Sequence, residues 1–348
     1  MLRAPTSGPR DARRASILCA LLVTALIAGA GTSARTAVPT QRLRVDPIRT
    51  WIFHYDSALA EIGAETFEEL LRRVPPSASV IVAVRGEEDE AHFRSRMDVP
   101  ATRWSGVQFL TTSRPLSAWA RDRYTPFCRD GAPAILLPGP RTVPTSWHGD
   151  LVVAETLGSR HPQHRLVRSG LSIEGGDLLI GQKLALVGEG TIQANVVRLG
   201  TDAEAVRKEL THILGRRVIV VDAGESDAPH DHIDMTVHLV DDRTALVGDP
   251  RASLAVWDDQ GVHKALSDYG APTRAEQQSV VAAYDGLARS LRRHGLRVLR
   301  VPAVHGRGSD VVLSWTNAVV DAVDGQPTVY LPNYGLPSLD VAAARVWR

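Results

Sequence analysis

Ile233-Asp234-Met235-Thr236-Val237-His238-Leu239-Val240, then Asp241-Asp242-Arg243, then Thr244-Ala245-Leu246-Val247 reads as two strands joined by a tight turn. Apolar runs suited to strands are separated by residues that favour turns. A helix over 277–293 and a strand over 296–301 complete the unit. Strand pair, helix and strand thus form a module, and other parts of the chain match it. Upstream, 178–180 and 184–187 flank the turn Gly181-Gln182-Lys183, with a helix over 203–214 and a strand over 217–221. Before that, 119–127 and 134–137 read as a strand pair, 150–157 as a helix and 164–168 as the closing strand. The first unit has strands over 51–55 and 80–84 around an amphipathic helix with Phe67, Leu70 and Leu71 on one face. A charged helix over 87–97 and a strand over 107–111 follow. At the far end, 313–320 and 328–331 make a hairpin around Asp324-Gly325, and a helix starts at Leu339. Repeats at this spacing predict a radial arrangement in which no unit buries its apolar face alone.

The chemistry-bearing residues fall near the starts of successive repeats: Asp122, then Glu174, then His232 and Asp234. If 232–240 is all strand, His232 and Asp234 project to one side while Ile233 and Met235 face the other. Units placed around an axis bring these starts together, and three carboxylates beside an imidazole suit a cation. A guanidinium is planar, always charged and carries five N–H donors in a fixed fork, which carboxylates can meet bidentately. Its carbon is a poor electrophile, so hydrolysis needs a strong nucleophile such as a thiolate and a histidine to protonate the departing nitrogen.

Trp119-Ala120-Arg121-Asp122, Glu174-Gly175-Gly176-Asp177 and His232-Ile233-Asp234, in that order and at those separations, resemble the three motifs of the guanidino-group-modifying (pentein) superfamily. The resemblance is closest to agmatine deiminases and bacterial peptidylarginine deiminase-like proteins, and it covers 48–348. It implies an α/β, five-fold pseudo-symmetric ββαβ propeller, in keeping with the repeats. It also implies Asp122 and Asp234 as holders of a guanidinium, Glu174 as partner of a catalytic His232, and Trp119 as part of the pocket wall. The implied ligand is a small-molecule or peptidyl guanidino compound, and no metal or organic cofactor is implied. Two departures stand out. Arg123-Tyr124-Thr125-Pro126 replaces the Thr-Gly-Pro of agmatine deiminases. The family's nucleophilic cysteine follows the helix that begins here at Leu339, and the sequence ends before that segment. The expectation is a C-terminally truncated chain with an incomplete last blade, inactive as written. The alternative is a pseudoenzyme that binds a guanidinium without turning it over. Cys128 is six residues past Asp122, roughly 20 Å along an extended strand, too far to serve that pocket.

His230, His232 and Asp234 also have the His-x-His-x-Asp spacing of zinc sites, which gives a second alternative, a metal-dependent hydrolase. Glu174-Gly175-Gly176-Asp177 taken alone reads equally as a surface turn, and Asp122 between Arg121 and Arg123 as one member of a salt-bridged strand end.

Residues 1–34 read as a cleaved signal peptide. Arg3, Arg10, Arg13 and Arg14 precede an apolar run over 17–28, and small residues follow. That run of roughly a dozen residues is short of the ~20 needed to span a bilayer, so export without a stable membrane anchor is expected. A polar linker over 35–47 precedes the domain. The 348 residues are 44% hydrophobic and 23% charged, with a net charge of +1, as in an ordinary globular protein. Arginines are scattered and not clustered with aromatics, which argues against a nucleic-acid partner.

Overall fold

The computed structural model describes residues 22–25, 47–57, 60–139, 143, 147–221, 232–306 and 311–348. The expected signal peptide and linker lie outside them except at 22–25 and 47, as do His230 and Asp231 of the zinc-like cluster. Among the described residues no helix is long and apolar enough to cross a membrane.

The described residues form a mixed α/β fold of five small sheets. A first strand, β1 (Leu22–Ala25), pairs antiparallel with the last, β16 (Gln326–Asn333), which also pairs with β15 (Val319–Val323). Next come β2 (Thr50–His54), β3 (Ser79–Val84) and β4 (Val107–Thr111), all parallel. Parallel neighbours need crossovers, and α1 (Ala60–Arg73) and α2 (Glu87–Arg96) supply them.

The next three sheets share a common plan. In each, an antiparallel hairpin leads through helices to a strand parallel with the second. The strands are β5 (Thr125–Arg129), β6 (Ala132–Leu137) and, after α3 (His148–Arg160), β7 (Arg165–Arg168). Then come β8 (Leu178–Ile180), β9 (Leu184–Gly188), α4 (Glu189–Leu199), α5 (Ala203–Leu214) and β10 (Arg217–Val221). Last are β11 (Val237–Asp241) and β12 (Thr244–Asp249), then the helices α6 (Pro250–Leu254), α7 (Gln260–Asp268), α8 (Arg274–Ser279) and α9 (Val281–Arg293). These lead to β13 (Arg297–His305), beside which β14 (Val312–Ser314) adds antiparallel. Helix α10 (Pro337–Trp347) follows β16. The expected turns form where turn chemistry stands: Asp324 and Gly325 take φ of 50° and 73°, values that Gly and Asp tolerate best.

Helix faces bury against the sheets. From α9, Tyr284, Leu287, Ala288 and Leu291 pack with Val247 and Ala303; from α5, Val206, Leu210, Ile213 and Leu214 pack with Ala185 and Val187. Each large buried side chain contributes about 1.5–3 kcal/mol, enough to fix which strand ends meet.

Several expected elements differ. Residues 313–320 are not one strand. Val312–Ser314 pairs with β13, and Trp315, wholly buried, donates its indole N–H to Asp340 at 2.9 Å. The side-chain hydroxyls of Ser314 and Thr316 lie 2.6 Å apart, and such local bonds compete with a continuing ladder. The helix expected over 277–293 divides at Val280. Gln277 there is drawn inward, its amide donating to the Ala303 carbonyl and its oxygen accepting from His305 N–H.

Candidate active site

The strand expected over 119–127 starts only at Thr125. Trp119 to Tyr124 form turns whose Asp122 N–H donates to the Trp119 carbonyl at 3.1 Å. Beneath them lies a buried polar anchor. Ser117 donates its N–H to Asp150 Oδ1 at 2.9 Å and its hydroxyl to Oδ2 at 2.6 Å. His54 is tied to the Ser117 carbonyl and to the Tyr124 hydroxyl, at 3.1 and 2.9 Å. Burial pushes His54 down to about 4 and Asp150 up to about 6, so both favour their neutral forms more than usual.

The glycine pair of the second motif is buried, not a surface turn. Gly175 N–H donates to the Asp122 carbonyl at 3.1 Å, which lays the two motifs side by side. A Cβ on Gly175 would fall 2.0 Å from the Arg121 carbonyl oxygen, and one on Gly176 would fall 2.5 Å from His232 Nδ1. A larger residue would therefore have to move backbone at Gly175 and displace the His232 ring at Gly176. Asp177 closes the turn by accepting from Glu174 N–H at 2.9 Å, and burial pushes its carboxyl up to about 7.

In the third motif, Ile233–Met235 is a turn of 3-10 helix and β11 begins at Val237. The expected strand alternation is therefore corrected: Ile233 and Asp234 are both buried, although one was assigned to each face. The Thr236 hydroxyl donates to the Ile233 carbonyl at 3.0 Å, and the Thr316 hydroxyl to the Asp234 carbonyl at 3.0 Å. These bonds hold the turn against extension.

The three motifs converge as expected. One side-chain ligand atom from each of Asp122, Glu174 and His232 lies within 4.8 Å of the others. His232 Nε2 stands 2.8 Å from Glu174 Oε2. That hydrogen bond, against burial and with help from the charges of Asp122 and Asp234, raises His232 to about 9. Burial acts to raise Glu174, but the bond to His232 and the charge of Arg123 outweigh it and hold the carboxyl below its usual range. Burial pushes Asp122 up to about 6, with Glu174 and Asp234 adding to the effect and His232 opposing it.

Sequence reasoning did not find two participants. Arg123 forms an ion pair with Glu174 Oε1, and Arg121 places Nη1 3.3 Å from Asp234 Oδ2 and Nη2 2.7 Å from the Leu178 carbonyl. The arginines flanking Asp122 thus reach past it to the carboxylates of the other motifs, and the salt-bridged strand end is not what forms. Among the described residues nothing hydrogen-bonds the Asp122 carboxylate, and Asp234 Oδ1 is buried without a partner. The N–H groups of Met235 and Asp234 lie close enough to favour the charged form of Asp234 but do not complete a bond to that oxygen. Burial is the larger influence and raises Asp234. Trp119, expected in the pocket wall, is 41% exposed.

The chain superposes on several solved structures. A C. jejuni agmatine deiminase superposes with a TM-score of 0.62 over 87% of this chain and 85% of that one, at 13% identity. The fold is that of agmatine deiminases. A Porphyromonas gingivalis protein provisionally described as an arginine deiminase gives 0.61 over 88% and 87%, at 16% identity. A serine variant of the C. jejuni agmatine deiminase with substrate bound gives 0.57 over 80% and 78%, at 14% identity. No protein-family model matches the sequence, and no curated protein matches it significantly.

Of the zinc-like alternative, His230 lies outside the described residues. The trio of Asp122, Glu174 and His232 is spaced to surround a cation. As arranged, His232 Nε2 faces Glu174 Oε2 at 2.8 Å and Asp234 and Glu174 face arginines, an ion-pair network in which a ligating imidazole would have to be neutral. His238, on β11, packs edge-on against Trp347 at 4.7 Å, with Nδ1 3.0 Å from the Thr316 carbonyl; burial and the charge of Arg121 push it down to about 4. Cys128 is exposed on β5, opposite Pro133 in the hairpin.

Proposed function

We propose that this cluster is a guanidinium-binding pocket and that its acid–base pair serves hydrolysis of the guanidinium to a ureido group and ammonia. The observation that carries the reading is Asp234 Oδ1, buried without a hydrogen-bond partner, together with the Asp122 carboxylate, which burial pushes up to about 6. Buried acceptors without donors are costly, and a ligand that brings N–H donors and a positive charge satisfies both. In the chemistry proposed, a nucleophile adds to the guanidinium carbon and a C–N bond breaks. His232, charged below about pH 9, gives its proton to the departing nitrogen. The neutral imidazole then takes a proton from the water that releases the ureido product. Glu174 holds the imidazole in place throughout. The agmatine deiminase fold is consistent with this assignment.

A second form of the reading is binding without turnover, with Cys128, exposed on β5, taking no part. Calorimetry with agmatine, arginine and an arginyl peptide tests the pocket, and colorimetry for the ureido product separates the two forms. Asp122→Asn is expected to weaken binding about 10- to 100-fold through loss of a charge-assisted bond. Equal affinities in wild type and variant would remove the pocket assignment.

Two further proposals accompany this one. The five sheets are read as pseudo-symmetric blades around an axis through the pocket, in support of which the common plan of three sheets can be cited. Residues 1–34 are read as directing export. Amino-terminal sequencing of the mature protein from the producing cell checks the latter, and an intact Met1 on protein in the cytoplasm would count against it.

A further inference from the structure

We propose that Arg123 is a positioning residue that commits Glu174 to His232 and withholds it from the ligand, an inference that rests on the guanidinium-binding reading above. Glu174 has two carboxylate oxygens, and each has a partner: Oε2 meets His232 Nε2 and Oε1 meets Arg123 Nη1. Neither is left facing the ligand unclaimed.

Arg123 is placed for this and for little else. It is only 4% exposed, its guanidinium carbon lies 4.4 Å from the Trp147 ring centroid, and its Nε has no partner. An arginine cannot shed its charge, so one buried to this degree needs a carboxylate nearby. Asp122 and Asp150 feel its charge without a hydrogen bond to it, and Glu174 takes the contact. Stacking on Trp147 fixes the direction of the fork, and that direction fixes Glu174. This position is also where the chain departs from the Thr-Gly-Pro that agmatine deiminases carry after the aspartate. The departure puts a permanent cation beside the general-acid pair.

The consequence is a division of labour among the three carboxylates. Asp122 and Asp234 Oδ1 remain for the ligand's N–H groups, while Glu174 is reserved for the imidazole. A neutral side chain of similar length at 123 frees Oε1 to accept a third N–H from the ligand.

The test uses the full chain with Arg123→Met, which keeps packing on Trp147, and Arg123→Lys, which keeps the charge. Two readouts are taken. The first is the affinity for agmatine and for guanidinium chloride by calorimetry. The second is the titration of the His232 ring followed by NMR in ligand-free protein. For the Met variant the expected results are affinity about tenfold tighter and a His232 titration moved downward, because a released Glu174 loosens the bond that most raises the ring; the Lys variant falls between it and wild type. A residue that merely supports the fold would lower the melting temperature and leave both readouts unchanged in the folded protein. A folded Met variant in which either readout stays at the wild-type value overturns the proposal. If wild type itself binds no guanidinium compound, the pocket reading fails, and with it the withholding role. The ligand-free titration then still reports whether Arg123 sets the Glu174–His232 pair.

Discussion

Gly176→Ala is a direct test of how tightly the second and third motifs are fitted. Gly176 does not have a left-handed backbone, so alanine is conformationally admissible and the cost is one of contact alone. The new Cβ would stand 2.5 Å from His232 Nδ1, 2.7 Å from its Cγ and 3.1 Å from Asp234 Oδ1. Ordinary contact begins at 3.4 Å, so the ring must retreat by about 0.9 Å. A retreat of that size away from Gly176 spoils a hydrogen bond whose length is now 2.8 Å unless Glu174 follows, and Arg123 holds Glu174 from its other side. Overpacking costs about 1–3 kcal/mol, and a charge-assisted bond is worth about 1.5–3 kcal/mol. The His232 and Glu174 side chains are 33% and 37% exposed, so the second figure is discounted for solvent screening and the sum is about 2 kcal/mol. That lowers the melting temperature by about 3 °C.

The pH dependence has a definite sign. His232 is raised in the folded state, from 6.5 to about 9. Its contribution to stability is therefore fully present below 6.5 and is lost as pH rises through 9. Glu174 is shifted down, so the pair also fades at the acid end. The deficit of the variant should be largest near neutrality and shrink above pH 9, where only the steric part remains. Scanning calorimetry at several pH values, with the His232 titration followed by NMR, checks this. A variant with unchanged melting temperature and unchanged His232 titration would refute the argument. Gly175→Ala should be far worse, because its Cβ meets the Arg121 backbone oxygen at 2.0 Å, and backbone cannot step aside as a ring can.

Two further outcomes follow from the site and its support. Affinity for a guanidinium compound should fall as pH drops through about 6, where Asp122 takes up a proton, by about tenfold per pH unit well below that value; flat calorimetric affinity between pH 5 and 8 would contradict it. The same group has its folded value raised above 3.8, so its contribution to stability declines as pH rises from about 4 to 6. Ser117→Ala leaves Asp150, wholly buried, without its 2.6 Å hydroxyl donor and should cost about 1–3 kcal/mol. An unchanged melting temperature would show that the anchor beneath the Trp119 turn contributes nothing.

The hairpins were legible because turn chemistry is local. Gly181-Gln182-Lys183, Asp241-Asp242-Arg243 and Asp324-Gly325 all sit between paired strands. The spacing of Asp122, Glu174 and His232 also pointed to one place, since each opens a unit and the unit starts meet. What failed was local conformation dictated by distant partners. His232 to Met235 has the apolar alternation of a strand, yet hydroxyls at Thr236 and Thr316 bend it into a turn. Helix α4 was missed because Thr191, Ile192, Val196 and Val197 are β-branched and favour strands in isolation, while burial of Ile192 and Asn195 decides otherwise. The roles of Arg121 and Arg123 were hidden for a different reason. Neighbours in sequence suggest pairing with Asp122, but consecutive side chains in a turn diverge, and only the tertiary fold shows Asp234 and Glu174 at their ends.

That divergence has a thermodynamic corollary. The two arginines that flank Asp122 fasten the other two acidic loops through contacts within the chain itself, so the pocket proposed above needs no loop to be ordered by its ligand. Association then carries little ordering penalty, and binding heats should be governed by desolvation and charge pairing, with scant contribution from loop closure.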